Sequence, residues 1–211
     1  MKLLKEANGN IPRTEKEKEL MIQNAAIAYA GFLTALGFDW QQDENSRNTP
    51  HRVAKAWVND LIKGTNTIPP KITTFPANNY DGLVFQGNID VVSLCSHHNL
   101  SFVGKAHIAY IPGTKVIGLS KLNRIVDWFS RRPQIQEGLT MQIHSYINEI
   151  CEENKGVAVL IEAQHSCCSH RGIGHKSTMK TAKLSGAFID NQEKAREEFY
   201  RFVADLKTSN K

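Results

Sequence analysis

Long apolar runs are missing from this 211-residue chain; none approaches the roughly 20 residues needed to cross a bilayer. The opening stretch "MKLLKEANGNIP" lacks the apolar segment of a secretory signal, so the expected location is the cytoplasm, with no membrane partner. Cysteine is scarce. The four thiols at positions 95, 151, 167 and 168, in a reducing compartment, read as free thiols, ligands or nucleophiles rather than a disulfide framework. With only 7 prolines, 41% hydrophobic and 22% charged residues, the composition excludes disorder, collagen and coiled coil. Clusters of Lys and Arg interleaved with aromatics are also absent, so the net charge of +5 does not point to nucleic acid. It is compatible with a small polyanionic substrate.

What is present is an ordered series of elements. Thr14 with Glu17 forms the signature of a capping box, and an alanine-rich segment running to Leu36, with Gly37 after it, predicts a first helix. Thr49-Pro50 starts a second, with Val53, Trp57 and Leu61 expected on its buried side. Gly64 and the prolines at 69 and 70 close this front section, predicting a helical part over 1–70 and a second part over 71–211. Beyond Ile72, "GKAHIAYIP" and "GVAVLIEAQH" read as strands. Between them lie two helical periods separated by Pro133. One, from Ser120, carries Leu122, Ile125, Val126 and Phe129; the other, from Gln134, carries Ile135, Leu139, Ile143, Tyr146, Ile147 and Ile150. "MKTAKLSGAFI" predicts a last strand, and Asp190 with Glu193 caps a final helix bearing Phe199, Phe202, Val203 and Leu206. The order implies an α+β fold with a largely antiparallel sheet.

The densest chemistry lies in "SLCSHHNLSF". Cys95 and His98, spaced C-x-x-H, can reach one metal from a tight turn, and thiolate plus imidazole suits zinc. A third donor comes from "EAQHSCCSHRG", where strand alternation groups Cys167 with His165 and sets Cys168 on the other side. Three protein ligands leave a place for water, the pattern of catalytic rather than structural zinc, and such a metal makes water nucleophilic near neutral pH. His97 and His165 remain as imidazoles for moving protons. The alternative is a set of buried thiols and satisfied histidines. A second feature is "GLSKLNRIVDWF": Ser120, Lys121 and Arg124 sit at a helix start, where free amides, the helix dipole and cations suit a polyphosphate. Arg171, Arg52 and Lys55 could add charge, and the alternative is a solvated helix end.

Together "NTPHRVAKAW", "CSHH", "FVGKAHIAYIP", "VIGLSKLNRIVDWFSRRPQIQE" and "HSCCSHRG" resemble, in order and spacing, the GTP cyclohydrolase I family over about Thr49 to Phe188. The resemblance implies a tunnelling fold, an antiparallel sheet with two adjacent helices on one side, assembled as a homodecamer with active sites between subunits. It implies Zn2+ on Cys95, His98 and Cys167, and GTP as substrate. The triphosphate would meet Ser120, Lys121, Arg124 and Arg171, with Arg52 and Lys55 from an adjoining subunit. Glu137 would hold the guanine edge. His165 would protonate N7 of the guanine, and His97 with Ser120 would assist the later ribose rearrangement. The chain departs from the family pattern at Ser96, where glutamate is usual, at Gly138, where arginine is usual, and in "TMKTAKLSGAF", which lacks a Thr-Ser run. Rival expectations are a nicotinamide-dependent deazaguanine nitrile reductase on the same fold and a non-enzymatic zinc-stabilised interaction module.

Overall fold

The computed structural model describes residues 2–189 and 193–208. Its first ordered helix begins where the capping box lies. The Thr14 side chain accepts from the Glu17 amide while the Glu17 carboxylate accepts from the Thr14 amide, and α1 (Glu15–Ala35) follows. Gly37, at φ 82°, takes the left-handed conformation that ends the helix at little cost.

The chain divides into two units, residues 1–68 and 69–211. In the first, α1 packs with α2 (Thr49–Ala56), which has proline in its first turn. A π-helical turn over Trp57–Leu61 and α3 (Lys63–Asn66) come next. The core here is Ile22, Ala54 and Val58. The stripe expected at Val53, Trp57 and Leu61 is therefore displaced: these three are only half-buried, and Pro50, Ala54 and Val58 are inside. The stripe keeps its spacing of four but starts at Pro50, ahead of the π turn, where the small Ala54 rather than Val53 packs with Ile22 of α1.

In the second unit, β1 (Thr74–Pro76) pairs with β4 (Lys115–Ile117). The main sheet has the order β5-β2-β3-β6-β7. Its strands are β2 (Val84–Cys95), β3 (Ser101–Ile111), β5 (Pro133–Gln134), β6 (Gly156–His165) and β7 (Thr178–Leu184). All pairings are antiparallel except β5 on β2, so the sheet is mixed. Pro133, expected only to separate two helices, instead opens a short parallel strand beside Leu94 and Cys95. The helices α4 (Leu119–Ser130) and α5 (Gln136–Ile150) bury Leu122, Ile125, Val126, Leu139, Ile143 and Ile147 against Ile108, Tyr110, Val159 and Ile161 of one sheet face. The other face meets α7 (Glu193–Thr208) through Ala109, Leu160, Phe199 and Val203. Both faces are covered over part of their length, so β6 is apolar at both parities. Of the last helix's expected cap, Asp190 lies outside the described residues. The short helical turn α6 (Ser166–Ser169) follows β6 directly.

One row of residues crosses four strands. Asp90 pairs with Lys105, Lys105 with Glu162, and Glu162 with Lys180, so acid and base alternate on one face. Lys105 reaches Asp90 at 2.6 Å, Lys180 reaches Glu162 at 2.9 Å, and the buried His107 lies 3.4 Å from Glu162. Beside the row, a Cβ on Gly104 would fall 1.9 Å from the Glu162 carbonyl oxygen, which explains why no larger residue fits there.

Candidate metal centre and active site

The β2–β3 turn is tied down by Cys95 itself. Its amide donates to Leu100 O, and its carbonyl accepts from Asn99 N at 2.8 Å and His98 N at 3.3 Å. Asn99 takes a left-handed φ of 54°. On the far side of the turn, the Ser96 amide donates to Gln134 O, so β5 buttresses the strand end. The tight turn sends His97 and His98 outward while Cys95 stays buried.

Cys95, His98 and Cys167 bring one donor atom each to within 4.8 Å of one another. Strand alternation does not reach Cys167, because β6 stops at His165 and the helical turn α6 carries both cysteines. That turn places the Cys167 sulfur beside Cys95, whereas Cys168 is exposed and outside the group. Burial first, then the Cys95 thiol beside it, pushes the Cys167 thiol up to about 11. Adjacent thiols in a partly buried site cannot both ionise without a counter-charge. A divalent cation supplies that charge and favours the thiolates, so the donor set fits a metal.

Around the group stand further polar side chains. His97 Nδ1 lies 3.8 Å from the Cys95 sulfur. Arg171 donates from Nη1 to His98 Nε2 at 2.7 Å. His165 stacks on the buried Phe102 ring, centroids 4.6 Å apart and planes 10° apart. Burial lowers its pKa and the Glu137 charge opposes that. Glu137 itself is exposed in the first turn of α5. Its neighbour Gln136 is 1% exposed and hydrogen-bonds His165 Nε2 at 2.8 Å. Gln136 is not among the residues that the motifs single out. Its signal was a polar residue in register with Leu139, Thr140 and Ile143 on the buried side of α5.

The expected phosphate residues fall in three places, of which Arg171, at His98, is one. Ser120 and Lys121 line an open pocket of about 510 Å³ with Thr73, Phe75 and Gly118, and Arg124 is exposed further along α4. The Lys121 amide already donates to Gly118 O at 2.8 Å, so this helix start offers one amide fewer than its position suggests. Among the described residues no hydrogen bond joins it to the Cys95, His98, Cys167 group. Arg52 and Lys55 lie exposed on α2 of the first unit.

Comparison with known proteins places these features in a family. The family model described as GTP cyclohydrolase I matches residues 25–204. A protein named GTP cyclohydrolase 1 from Flavobacterium johnsoniae is 39% identical over 90% of this chain and 83% of its own length. One of the same name from Sulfurihydrogenibium sp. is 44% identical over 82% of this chain and 89% of the relative. A Pseudomonas aeruginosa protein named GTP cyclohydrolase 1 1 is 44% identical over 85% of this chain and 96% of the relative. A solved QueF-like archaeosine synthase in the apo form aligns with 48% of this chain and 92% of its own, at 17% identity and a TM-score of 0.38; that likeness is too slight to carry an argument. The match also reaches well before Thr49, into α1, where short motifs gave no sign of it. On the strength of a match covering most of both units, the chain belongs to the GTP cyclohydrolase I family.

Proposed function

We propose that this protein hydrolyses GTP at its guanine imidazole ring, releases formate and forms 7,8-dihydroneopterin triphosphate. The observation that carries the reading is the convergence of two thiols and an imidazole within 4.8 Å in a chain of this family. The bound ion is Zn2+ on Cys95, His98 and Cys167, and when bound it supplies the Lewis acidity that makes a water molecule nucleophilic near neutral pH. His165 gives a proton to N7, which makes C8 electrophilic. Water adds to C8, the C8–N9 bond breaks, and a second water releases C8 as formate. His97 and Ser120 move protons during the ribose rearrangement, and ring closure then expels a water.

Glu137 accepts N–H bonds from the guanine edge. Lys121, Arg124 and Arg171 meet the triphosphate, joined by Arg52 and Lys55 of a neighbouring subunit. The catalytic unit is a tunnelling fold, working in the cytoplasm as a homodecamer with sites between subunits. Support for assembly comes from Leu20, Ile27, Phe32 and Leu36, large apolar residues on or next to α1 that one copy leaves exposed.

The test is incubation of zinc-loaded protein with GTP, following the pterin absorbance and formate in the same sample. Equimolar formate and dihydroneopterin triphosphate are expected, and their absence rejects the reading.

A further inference from the structure

The buried side chain of Gln136 does more than fill space beside the reacting group. Its Nε2 lies 3.0 Å from Ile161 O, 3.2 Å from Met179 O and 3.1 Å from Thr181 Oγ1. Two of these partners are backbone carbonyls, which only accept. The amide nitrogen must therefore face them, since a flipped amide would set its oxygen against both carbonyls inside a buried site. Thr140 strengthens the arrangement: its hydroxyl bonds Gln136 O at 2.9 Å and lies 2.6 Å from Thr181 Oγ1. With the nitrogen committed to the β6–β7 backbone, Oε1 is the atom left for His165, at 2.8 Å from its Nε2. Oε1 only accepts, so His165 Nε2 must carry a hydrogen. The ring cannot rotate away easily, because Phe102 lies flat against it.

We infer that Gln136 is a positioning residue: it fixes the neutral His165 ring as the Nε2–H tautomer and leaves Nδ1 as the bare nitrogen, open to act on the substrate. The catalytic part of this inference rests on the role proposed for His165; the tautomer does not.

Nitrogen-15 spectra of histidine-labelled, zinc-loaded protein read the tautomer directly, with the His165 signals identified by their loss in His165→Ala. The neutral wild-type ring should show a protonated Nε2 and a bare Nδ1. In Gln136→Met the two tautomers should mix, with full zinc content, an unchanged KM for GTP and kcat lower by on the order of a hundredfold, the low end for a positioned acid–base group. Should that variant not fold, the wild-type spectrum decides by itself, since it reads the tautomer without any substitution. A wild-type ring protonated at Nδ1, or a Gln136→Met ring unchanged from wild type, overturns the inference. A correct tautomer in a protein that yields no pterin would instead leave Gln136 as the orienting group and remove the proposed function.

Discussion

Cys167 and Cys168 are neighbours in sequence, yet only one sulfur joins the donor group. Cys95→Ala, His98→Ala and Cys167→Ala should each abolish metal binding measured by atomic absorption, because a site of three protein donors cannot spare one. Cys168→Ala should keep a full complement; a metal-free Cys168→Ala protein would show that the helical turn presents the other thiol. The residues proposed to meet phosphate are separable in the same way. Lys121→Ala and Arg124→Ala should weaken GTP by about 1.5–3 kcal/mol each, the value of a hydrogen bond to a charged group, and leave guanosine binding almost unchanged. Equal losses for the two ligands by calorimetry would remove α4 from triphosphate recognition.

The helix ends and strand pairs set the stability of these positions. Thr14→Ala removes the half of the capping box made by the Thr14 hydroxyl, leaving the Glu17 carboxylate on the residue-14 amide, and should lower unfolding free energy in urea by about 1 kcal/mol. On α5, His144 is buried and lies 3.0 Å from Ser185 Oγ. Burial, then the Lys183 charge, holds it below the ordinary histidine value of 6.5. As pH falls, the unfolded chain takes up this proton before the folded one. Stability is thus full above that value and declines below it. His144→Gln in metal-free protein should flatten the loss of urea midpoint between pH 7.5 and 5, and an unchanged slope would assign the acid sensitivity elsewhere. Elements with one clean period were legible from sequence: β3 and β6 through their branched residues, α4 and α5 through their apolar stripes. Strand β2 was not, because its register shifts between Gln86 and Ile89 and Asn88 adopts a φ of 56°, so alternation breaks inside it. Cys95 and His98 were legible because a metal limits residue type and spacing within one turn, whereas the choice of Cys167 over Cys168 is made by the helical turn α6, which strand alternation does not describe. The role of Gln136 was not, since it depends on β6 and β7 carbonyls distant in sequence.

For the whole molecule, the large apolar residues that α1 leaves exposed favour the proposed assembly. Light scattering should give a particle close to ten chain masses, and dilution that yields single copies should abolish pterin formation while leaving metal content intact. Activity in a monodisperse single chain would refute shared sites. The alternating row Asp90, Lys105, Glu162, Lys180 has a consequence for how such a molecule reaches its final form. If β6 slipped by one residue against β3, Glu162 would turn toward the apolar side and Ile161 toward the charged one. If it slipped by two, the faces would survive but Glu162 would stand opposite Val103 or His107 and lose Lys105. Each error therefore carries its own electrostatic or solvation cost. The row thereby sets the native alignment apart from both of its neighbours in energy.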